Sequence, residues 1–289
     1  MYKYFFLLPV YNDWKSLNKL LTKLNNFFKK EKKKIDIIIV NDSSTFRSSV
    51  KKNKLNYIGS IKIINLKKNL GSQKSIAVGI KYLSKLRKKS IITIMDADGE
   101  DDYTKVKKMI NCAIKNENCI VTSNRTERKE PIIFKILYKI HLLIIFLFSG
   151  KWISFGNFTS LNNKNLKNLQ SDESIWFAYS AGVSKNCKTF QLPAKRKHRF
   201  YGKSKVSFAQ LMFHSLRIAA VFNYYILFTS CIYVSILYLF FYIFEAKFLI
   251  FLSFLIIMLN LFIFFTRALF KKDEYNLRSK FIKNIETIN

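Results

Sequence analysis

The chain has 289 residues, and its 50 lysines and arginines against 18 aspartates and glutamates give a formal net charge of +32. Its hydrophobic content of 49% excludes a disordered chain, and its length allows one large domain or two small ones. Between Ile218 and Thr266 the only charged residues are Glu245 and Lys247, so a strongly basic body precedes a nearly uncharged C-terminal block.

Residues 1–125 alternate between strand-like and helix-like segments. Apolar runs typical of buried strands occupy Tyr4–Val10, Ile35–Val40, Ile61–Leu66, Ile91–Met95 and Cys119–Thr122. Helical periodicity separates them at Trp14–Phe28, Ser72–Leu86 and Tyr103–Ile114. Continuous apolar strands separated by helices predict an α/β domain with a parallel sheet covered on both faces. In such sheets ligands bind beyond the carboxyl ends of the strands.

Polar segments follow the first four predicted strands. They read P-V-Y-N-D from Pro9, V-N-D-S-S from Val40, N-L-K-K-N-L-G from Asn65 and M-D-A-D-G-E-D-D from Met95. Five of the chain's acidic residues therefore lie within seven positions, and carboxylates this crowded raise one another's pKa unless a cation lies among them.

Two of these carboxylates, Asp96 and Asp98, offer oxygen ligands suited to Mg²⁺ or Mn²⁺, with substrate phosphates completing the shell. The alternative is a solvated acidic turn, in which Asp101 or Asp102 caps the following helix. The residues alone leave both interpretations open.

Residues 132–150 form another apolar segment, which also contains lysines. Its apolar core, Leu142–Phe148, is too short to span a membrane, and Lys135 and Lys139 lie one helical turn apart before it. This pattern predicts a helix lying in the membrane interface, although an ordinary amphipathic core helix has the same pattern.

The uncharged block predicts a transmembrane hairpin. Residues 218–244 and 248–266 both lack charged side chains, and each run is long enough to cross a bilayer, which takes roughly 18–20 residues. The connection Glu245–Lys247 is too short for anything but a tight turn, so both flanks must face the same side.

Basic residues on both flanks indicate which side that is. They are Lys195, Arg196, Lys197, Arg199, Lys203, Lys205 and Arg217 before the hairpin, and Arg267, Lys271, Lys272, Arg278, Lys280 and Lys283 after it. The positive-inside rule then predicts a protein of the cytoplasmic membrane, with the body (1–217), a basic tail (267–289) and both termini in the cytoplasm.

The motifs at the strand ends, in this order and spacing, resemble glycosyltransferase family 2, whose inverting nucleotide-sugar enzymes have the Rossmann-like GT-A fold. The resemblance extends over about residues 4–266 and includes Ser123–Arg125, Gly156–Phe158 and R-F-Y-G-K-S-K from Arg199. With the C-terminal hairpin, the chain is similar to the polyisoprenyl-phosphate glycosyltransferases, the group of dolichyl-phosphate mannose synthase and its bacterial relatives.

The resemblance implies a donor that is a UDP- or GDP-sugar and a divalent metal, Mg²⁺ or Mn²⁺, at Asp96 and Asp98. Gly99 and Glu100 replace the Leu-Gln usual in the family, so Glu100 is a candidate third metal ligand, and Asn157 replaces an acidic residue. The implied donor-binding residues are Pro9, Tyr11, Asn12, Asp42, Asn69, Gly71 and Asp96, and the implied catalytic residues are Asp98, Arg125 and Arg199. For Asn69–Gly71, a simple helix-entry turn is the alternative.

The acceptor is expected to be a polyprenyl phosphate. A lipid phosphate is already ionised near pH 7, because its second pKa lies at about 6, so it needs cations rather than a base. The candidates for holding that phosphate are Arg125, Arg128, Lys203 and Lys205, although each could instead be a snorkelling residue of the membrane flank.

Other functions remain as alternatives. A family 2 enzyme extending a glycan or glycolipid through a hydroxyl, as in cell-surface polysaccharide synthesis, would need a carboxylate base such as Asp101 or Glu173. A nucleic-acid binder explains the charge but not the acidic cluster, so no nucleic-acid partner is expected. A transporter would need ionisable residues within the membrane. The sequence leaves the oligomeric state open, with a homo-oligomer among the alternatives.

Overall fold

The computed structural model describes residues 2–46, 50, 52, 54–86, 88–125, 132–202, 208–269 and 272–288. The chain divides into two compact units. The first consists of Met1–Lys129, Ser154–Lys205 and Asp273–Asn289, and the second of Glu130–Ile153 and Val206–Lys272.

The described residues form strands and helices in alternation along most of the chain. The first part contains β1 (Lys3–Val10), α1 (Trp14–Lys30), β2 (Ile35–Asn41), β3 (Ile58–Leu66), α2 (Ser72–Leu83), β4 (Ser90–Ile94), α3 (Val106–Lys115), β5 (Cys119–Arg125) and α4 (Ile132–Ser149). The middle contains β6 (Phe155–Asn162), α5 (Asn163–Ser171), α6 (Ser174–Phe177), α7 (Tyr179–Asn186), β7 (Lys188–Ala194) and α8 (Phe208–Val221). The last part contains α9 (Asn223–Phe244), α10 (Phe248–Ala268), α11 (Lys272–Asn276) and β8 (Ile282–Ile288).

One sheet organises the first unit, with the strand order β7-β5-β6-β4-β1-β2-β3-β8. The consecutive strands β4, β1, β2 and β3 are parallel to one another, while β6 and β8 run antiparallel to their neighbours. The predicted α/β class is confirmed, but the sheet is mixed rather than wholly parallel. The β1–β4 core reads as continuous apolar sequence because helices cover both of its faces.

The helices pack on the sheet through regularly spaced apolar side chains. In α1 the residues Leu17, Leu20, Leu21 and Leu24 are fully buried, at the spacing of one helical face. In α2 the small residue Gly79 lets the helix approach β1 closely, because a Cβ there would lie 2.3 Å from a methyl carbon of Leu7. These contacts fix the strand ends that carry the polar segments.

The C-terminal segment differs from the predicted basic tail at 267–289. Residues 273–288 belong to the first unit, where β8 pairs with the outer edge of β3. Arg278 is buried and donates hydrogen bonds to the carbonyl oxygens of Tyr275 (2.6 Å) and Gln170 (2.8 Å), while Tyr275 packs edge-on against Trp176. The sequence concealed this strand because its exposed polar residues are typical of a sheet edge.

The second unit consists of α4, α8, α9 and α10. Two of its helices, α9 and α10, are long and apolar enough to cross a membrane, and most of their side chains are exposed. Asn260 of α10 donates a hydrogen bond to Ser230 of α9 (2.7 Å), which joins the two helices midway. The first long helix begins at Asn223 rather than at the predicted residue 218, because the helical backbone is interrupted at Phe222 (φ −105°, ψ 19°).

The predicted interfacial segment is helix α4. The hydroxyls of Thr229 and Tyr233 on α9 donate hydrogen bonds to the last carbonyls of α4, those of Phe148 and Leu147 (both 2.8 Å). Much of the remaining surface of α4 is apolar and exposed, as at Ile132, Ile136, Ile140, Leu143 and Leu147. Its location in a membrane interface stays a prediction.

Candidate active site

The loops after β1 and β2 are tied to each other by Asn12. This residue adopts a left-handed backbone conformation (φ 52°), and its side-chain oxygen accepts hydrogen bonds from the backbone N–H groups of Thr45 (2.9 Å) and Phe46 (3.3 Å). Its own N–H donates to the hydroxyl of Ser44 (2.9 Å). Tyr11 is 41% exposed at this edge of the sheet.

Asp42 connects the end of β2 to the start of α2. Its buried carboxylate accepts hydrogen bonds from the backbone N–H groups of Leu70 (2.7 Å) and Gly71 (2.8 Å). Burial raises the pKa of Asp42, and the two backbone donors oppose that shift. Gly71 has a φ of 85°, a conformation that glycine adopts without strain, and Asn69 accepts a further bond from its N–H (3.1 Å).

Pro9 is the penultimate residue of β1 and pairs with Val40 of the neighbouring strand. The donor-binding residues predicted at the ends of β1 and β2 and before α2 therefore lie in segments joined by direct hydrogen bonds. The helix-entry role considered for Asn69–Gly71 is present as well, since Gly71 directly precedes α2. Whether these residues bind a nucleotide stays a prediction.

The acidic loop after β4 is held by hydrogen bonds to its carboxylates. Asp96 accepts one from the side-chain amide of Asn157 (3.0 Å), and Asp98 accepts one from the backbone N–H of Glu100 (2.9 Å). Asp101 is buried and accepts the backbone N–H of Asp96 (2.9 Å), so it closes the loop upon itself.

Asp102 has the capping role that the sequence suggested for Asp101 or Asp102. It accepts hydrogen bonds from the N–H (3.0 Å) and hydroxyl (2.7 Å) of Thr104 at the start of a short 3₁₀ turn, and it pairs with Lys197 (2.8 Å). Burial alone would raise the pKa of Asp102, but the bonds from Lys197 and Thr104 outweigh it and lower the pKa below its ordinary value.

A basic segment, Arg196–Phe200, lies along this acidic loop, and we call it the basic strap. Arg196 pairs with Glu100, with its Nε 2.9 Å from the carboxylate. Arg199 bridges two carboxylates, those of Asp98 (3.2 Å) and Asp13. Asp13, which the sequence did not single out, thus joins the loop after β1 to the acidic loop.

The backbone of the basic strap also contacts the acidic loop. The N–H of Phe200 donates to the carbonyl of Asp98 (2.9 Å), and the Phe200 ring covers Gly99. A Cβ at residue 99 would lie 2.4 Å from that ring, and the backbone there has a φ of +88°. Both facts favour glycine at this position, where the family usually has leucine.

The electrostatics of the loop fit a divalent cation at Asp96 and Asp98. Burial, then the neighbouring carboxylate of Asp96, raises the pKa of Asp98 to about 7, while Arg199 opposes the shift. Such crowding favours a bound cation. Mg²⁺ is usually held by one or two carboxylates with water and substrate phosphates, so two ligands suffice.

Glu100, the candidate third ligand, pairs with Arg196 in this structure. Among the described residues, no three His, Cys, Asp or Glu side chains group together as a cation site. The role of Glu100 as a metal ligand stays a prediction, and it would require Arg196 to release the Glu100 carboxylate.

Asn157 and Gln73 form a polar connection that sequence reasoning missed. The side-chain oxygen of Asn157 accepts a hydrogen bond from the Gln73 amide (3.2 Å), and the Gln73 oxygen accepts the backbone N–H of Tyr179 (2.7 Å). Asn157 can donate to Asp96, whereas the acidic residue usual in the family would repel it. The only sequence signal was a glutamine on the buried face of α2.

Several predicted residues cannot be placed. Arg128, Lys203 and Lys205 lie outside the described residues. Arg125 is the last residue of β5, where its backbone pairs with Ala194, and nothing is described of its side chain. Of the predicted acceptor and catalytic residues, the structure therefore brings together Asp98 and Arg199.

Three solved structures represent the known proteins with a similar fold. Glucosyl-3-phosphoglycerate synthase from Mycobacterium tuberculosis, in complex with Mn²⁺, UDP and phosphoglyceric acid, is 9% identical, with 78% of each chain covered and a TM-score of 0.53. A mycobacterial protein is 10% identical over 78% of this chain and 74% of its own, with a TM-score of 0.50. S. aureus TarS 1–349 in complex with UDP-GlcNAc is 13% identical over 76% of this chain and 66% of its own, with a TM-score of 0.45.

The two structures with TM-scores of 0.50 and 0.53 show a shared fold and nothing more. No curated protein matches the chain. A family model described as Glycosyl transferase family 2 matches residues 6–186, a stretch that begins in β1, ends with α7 and includes Asp42, Asp96 and Asp98. Because that match covers more than half of the chain and the whole acidic loop, the protein belongs to glycosyl transferase family 2.

Proposed function

We propose that this glycosyltransferase moves one sugar from a nucleotide diphosphate sugar to a polyprenyl phosphate at the cytoplasmic membrane. The observation that carries the proposal is the acidic loop after β4, where Asp96 and Asp98 lie in one hydrogen-bonded loop braced by Arg199. The M. tuberculosis synthase of similar fold binds UDP and Mn²⁺, which supports the same ligand class here.

The donor would bind along the edge formed by the loops after β1, β2 and β4. Asp96 and Asp98 would hold Mg²⁺ or Mn²⁺, which would neutralise the charge that develops on the leaving diphosphate. Asn157 orients the Asp96 carboxylate, and the Glu100 N–H orients that of Asp98. Asn12 and Asp42 hold the loops that would bind the base and ribose.

A phosphate acceptor agrees with the charges near this loop. An ionised phosphate needs cations to hold it, and Arg199 would grip phosphate with two N–H groups once it released the carboxylates of Asp98 and Asp13. Asp101, the candidate base for a hydroxyl acceptor, is buried and already accepts the Asp96 N–H, so it is poorly placed to remove a proton. Arg125, Arg128, Lys203 and Lys205 remain proposed contacts to the acceptor.

The membrane anchor would be a hairpin of α9 and α10. Residues 154–205 before α8 and residues 273–289 after α10 both belong to the first unit, and β8 pairs with β3. Two crossings return the chain to the side from which it started, so this pairing supports a hairpin. The basic flanks support a cytoplasmic location for that side.

A donor panel tests the proposal. Full-length protein in lipid nanodiscs containing polyprenyl phosphate would be incubated with UDP- and GDP-sugars in Mg²⁺, and the lipids would be analysed by mass spectrometry. We expect one donor to yield a lipid phosphate heavier by one sugar. If no donor is consumed and no lipid product forms, the proposed function is wrong.

A further inference from the structure

A line of polar side chains connects the C-terminal strand β8 to the loop after β2. The amide nitrogen of Asn65 donates hydrogen bonds to Glu286 (2.7 Å) and Asn284 (2.9 Å), both on β8. The Asn65 oxygen accepts a bond from the amide nitrogen of Asn41 (2.8 Å), and the Asn41 oxygen accepts the backbone N–H of Ser44 (3.0 Å). We call Glu286, Asn65 and Asn41 the amide relay.

Glu286 determines which way each amide of the relay points. A carboxylate only accepts hydrogen bonds, so the Asn65 nitrogen must face Glu286. The Asn65 oxygen must then face Asn41, whose nitrogen turns toward it. That leaves the Asn41 oxygen facing the N–H of Ser44, as observed.

The relay ends in the loop that would bind the nucleotide. Ser44 accepts the N–H of Asn12, and Asn12 in turn accepts the N–H groups of Thr45 and Phe46. Asn41 also directly precedes Asp42, which holds Leu70 and Gly71. A change in the direction of the Asn41 amide would therefore reach both segments of the proposed donor pocket.

We propose that β8, the strand that follows the apolar hairpin, positions the nucleotide-binding loop through the amide relay. Glu286 and Asn65 are then positioning residues for donor binding, since they act through Asn41 and Ser44. This inference rests on the proposed function. It assigns to the C-terminal strand a part in the donor site, beyond closing the edge of the sheet.

Backbone pairing holds β8 in place independently of the relay. Residues 285–288 of β8 face residues 61–64 of β3 in regular antiparallel register, and Glu286 itself is exposed. Changing the side chain at residue 286 should thus leave the strand attached. An effect of the substitution on nucleotide binding can therefore be distinguished from an effect on the stability of the fold.

Two single variants and their combination test the direction of the relay. Glu286→Lys offers a donor where an acceptor is needed, which favours a reversed Asn65 amide. Asn65→Asp leaves an acceptor for Asn41 but places two carboxylates against each other, and their repulsion should displace residue 65 and weaken its bond with Asn41. In the double variant, Lys at 286 can donate to Asp at 65, whose second oxygen can accept from Asn41, so the original direction returns.

The readouts are nucleotide affinity by titration calorimetry, with UDP and with GDP in Mg²⁺, and thermal unfolding of the full chain in nanodiscs. We expect each single variant to weaken binding about three- to tenfold, as for the loss of one hydrogen bond, and the double variant to recover to within about twofold of wild type. KM for the donor should rise by the same factors while kcat changes little.

Lys283→Glu serves as the control, because it reverses one exposed charge on the same strand and lies outside the relay. It should bind nucleotide as wild type does. Wild-type affinity in both single variants, or losses that follow the unfolding temperature without rescue in the double variant, would overturn this inference alone. Failure of the wild type to bind either nucleotide would overturn the proposed function with it.

Discussion

At the scale of single residues, Asp98 is where the opposing charges of the site meet. Its carboxylate is partly buried beside Asp96, and Arg199 bridges it to Asp13. The pairing with Arg199 compensates only part of the crowding, because the pKa of Asp98 is still raised to about 7. A site that retains such an unfavourable charge arrangement is more useful for binding a cation than for stability.

Asp98→Asn should therefore reduce kcat by about 100- to 1000-fold without lowering the unfolding temperature, since it removes a charge that its neighbours repel. Glycosyl transfer and thermal unfolding would be measured on the same preparation. Asp102→Asn is the matched control, because asparagine can still cap the turn, only the charge paired with Lys197 is lost, and activity should be kept. Turnover by Asp98→Asn near the wild-type rate, or by wild type in excess EDTA, would refute the metal site.

Arg199→Ala should cost about 30- to 1000-fold in kcat/KM, corresponding to about 2–4 kcal/mol of transition-state stabilisation for an arginine that grips phosphate. Arg199→Lys should recover only part of this loss, because lysine lacks the planar fork that reaches two partners. Steady-state kinetics with varied donor and acceptor would show it. Full activity in Arg199→Lys would mean that charge alone is required.

At the scale of secondary-structure elements, a strand could be predicted where its local sequence pattern matches its burial in the fold. The strands β1 to β4 were predicted to within a few residues because their side chains are apolar on both faces. Three strands were missed, β6, β7 and β8. The first two mix polar residues into short stretches, and the third is an exposed edge strand whose pairing depends on distant β3.

The residues of the candidate site could likewise be predicted only where the local sequence indicates their position. The positions of Asp42, Asp96 and Asp98 at strand ends could be predicted, because parallel strands end at one edge of the sheet. The pairing of Arg199 with Asp13 could not, since those residues are 186 positions apart in sequence and nothing local relates them. The hydrogen bond between Gln73 and Asn157 could not be predicted for the same reason, because these residues are also far apart in sequence.

The C-terminal segment supplies a prediction at this scale. Arg278→Ala should lower the free energy of unfolding of the first unit by about 1–3 kcal/mol, because the carbonyls of Gln170 and Tyr275 lose their buried donor. Denaturant unfolding followed by tryptophan fluorescence would report it, as Trp176 packs against Tyr275. Lys280→Ala, at an exposed position, should change stability by no more than about 0.5 kcal/mol. Equal stabilities of the two variants would contradict the buried role of Arg278.

At the scale of the whole molecule, the chain leaves the first unit after residue 205 and returns to it at Asp273, with both long apolar helices in between. The net charge of +32 suits a protein that works beside anionic lipid, where each nearby Lys or Arg contributes about 1 kcal/mol of attraction. Charge, hydrophobicity and topology are thus all compatible with the membrane location proposed above.

Tags at Met1 and at Asn289 should accordingly both be protected in intact cells and both become accessible once the membrane is permeabilised. The reason is that two crossings and the pairing of β8 with β3 require the two ends to share one side. Protease accessibility of each tag in intact and opened cells would be compared by immunoblot. Removal of either tag from intact cells would contradict the cytoplasmic hairpin.

The most direct measurement compares three acceptors in nanodiscs with the accepted donor: polyprenyl phosphate, the matching free polyprenol and a sugar-bearing lipid. If the nucleophile is an ionised phosphate, only the polyprenyl phosphate should be glycosylated, and kcat/KM should rise near its second ionisation, at about pH 6. Glycosylation of the free alcohol or of the glycolipid, with the phosphate left unchanged, would contradict the lipid-phosphate acceptor and favour a family 2 enzyme that extends a glycan through a hydroxyl.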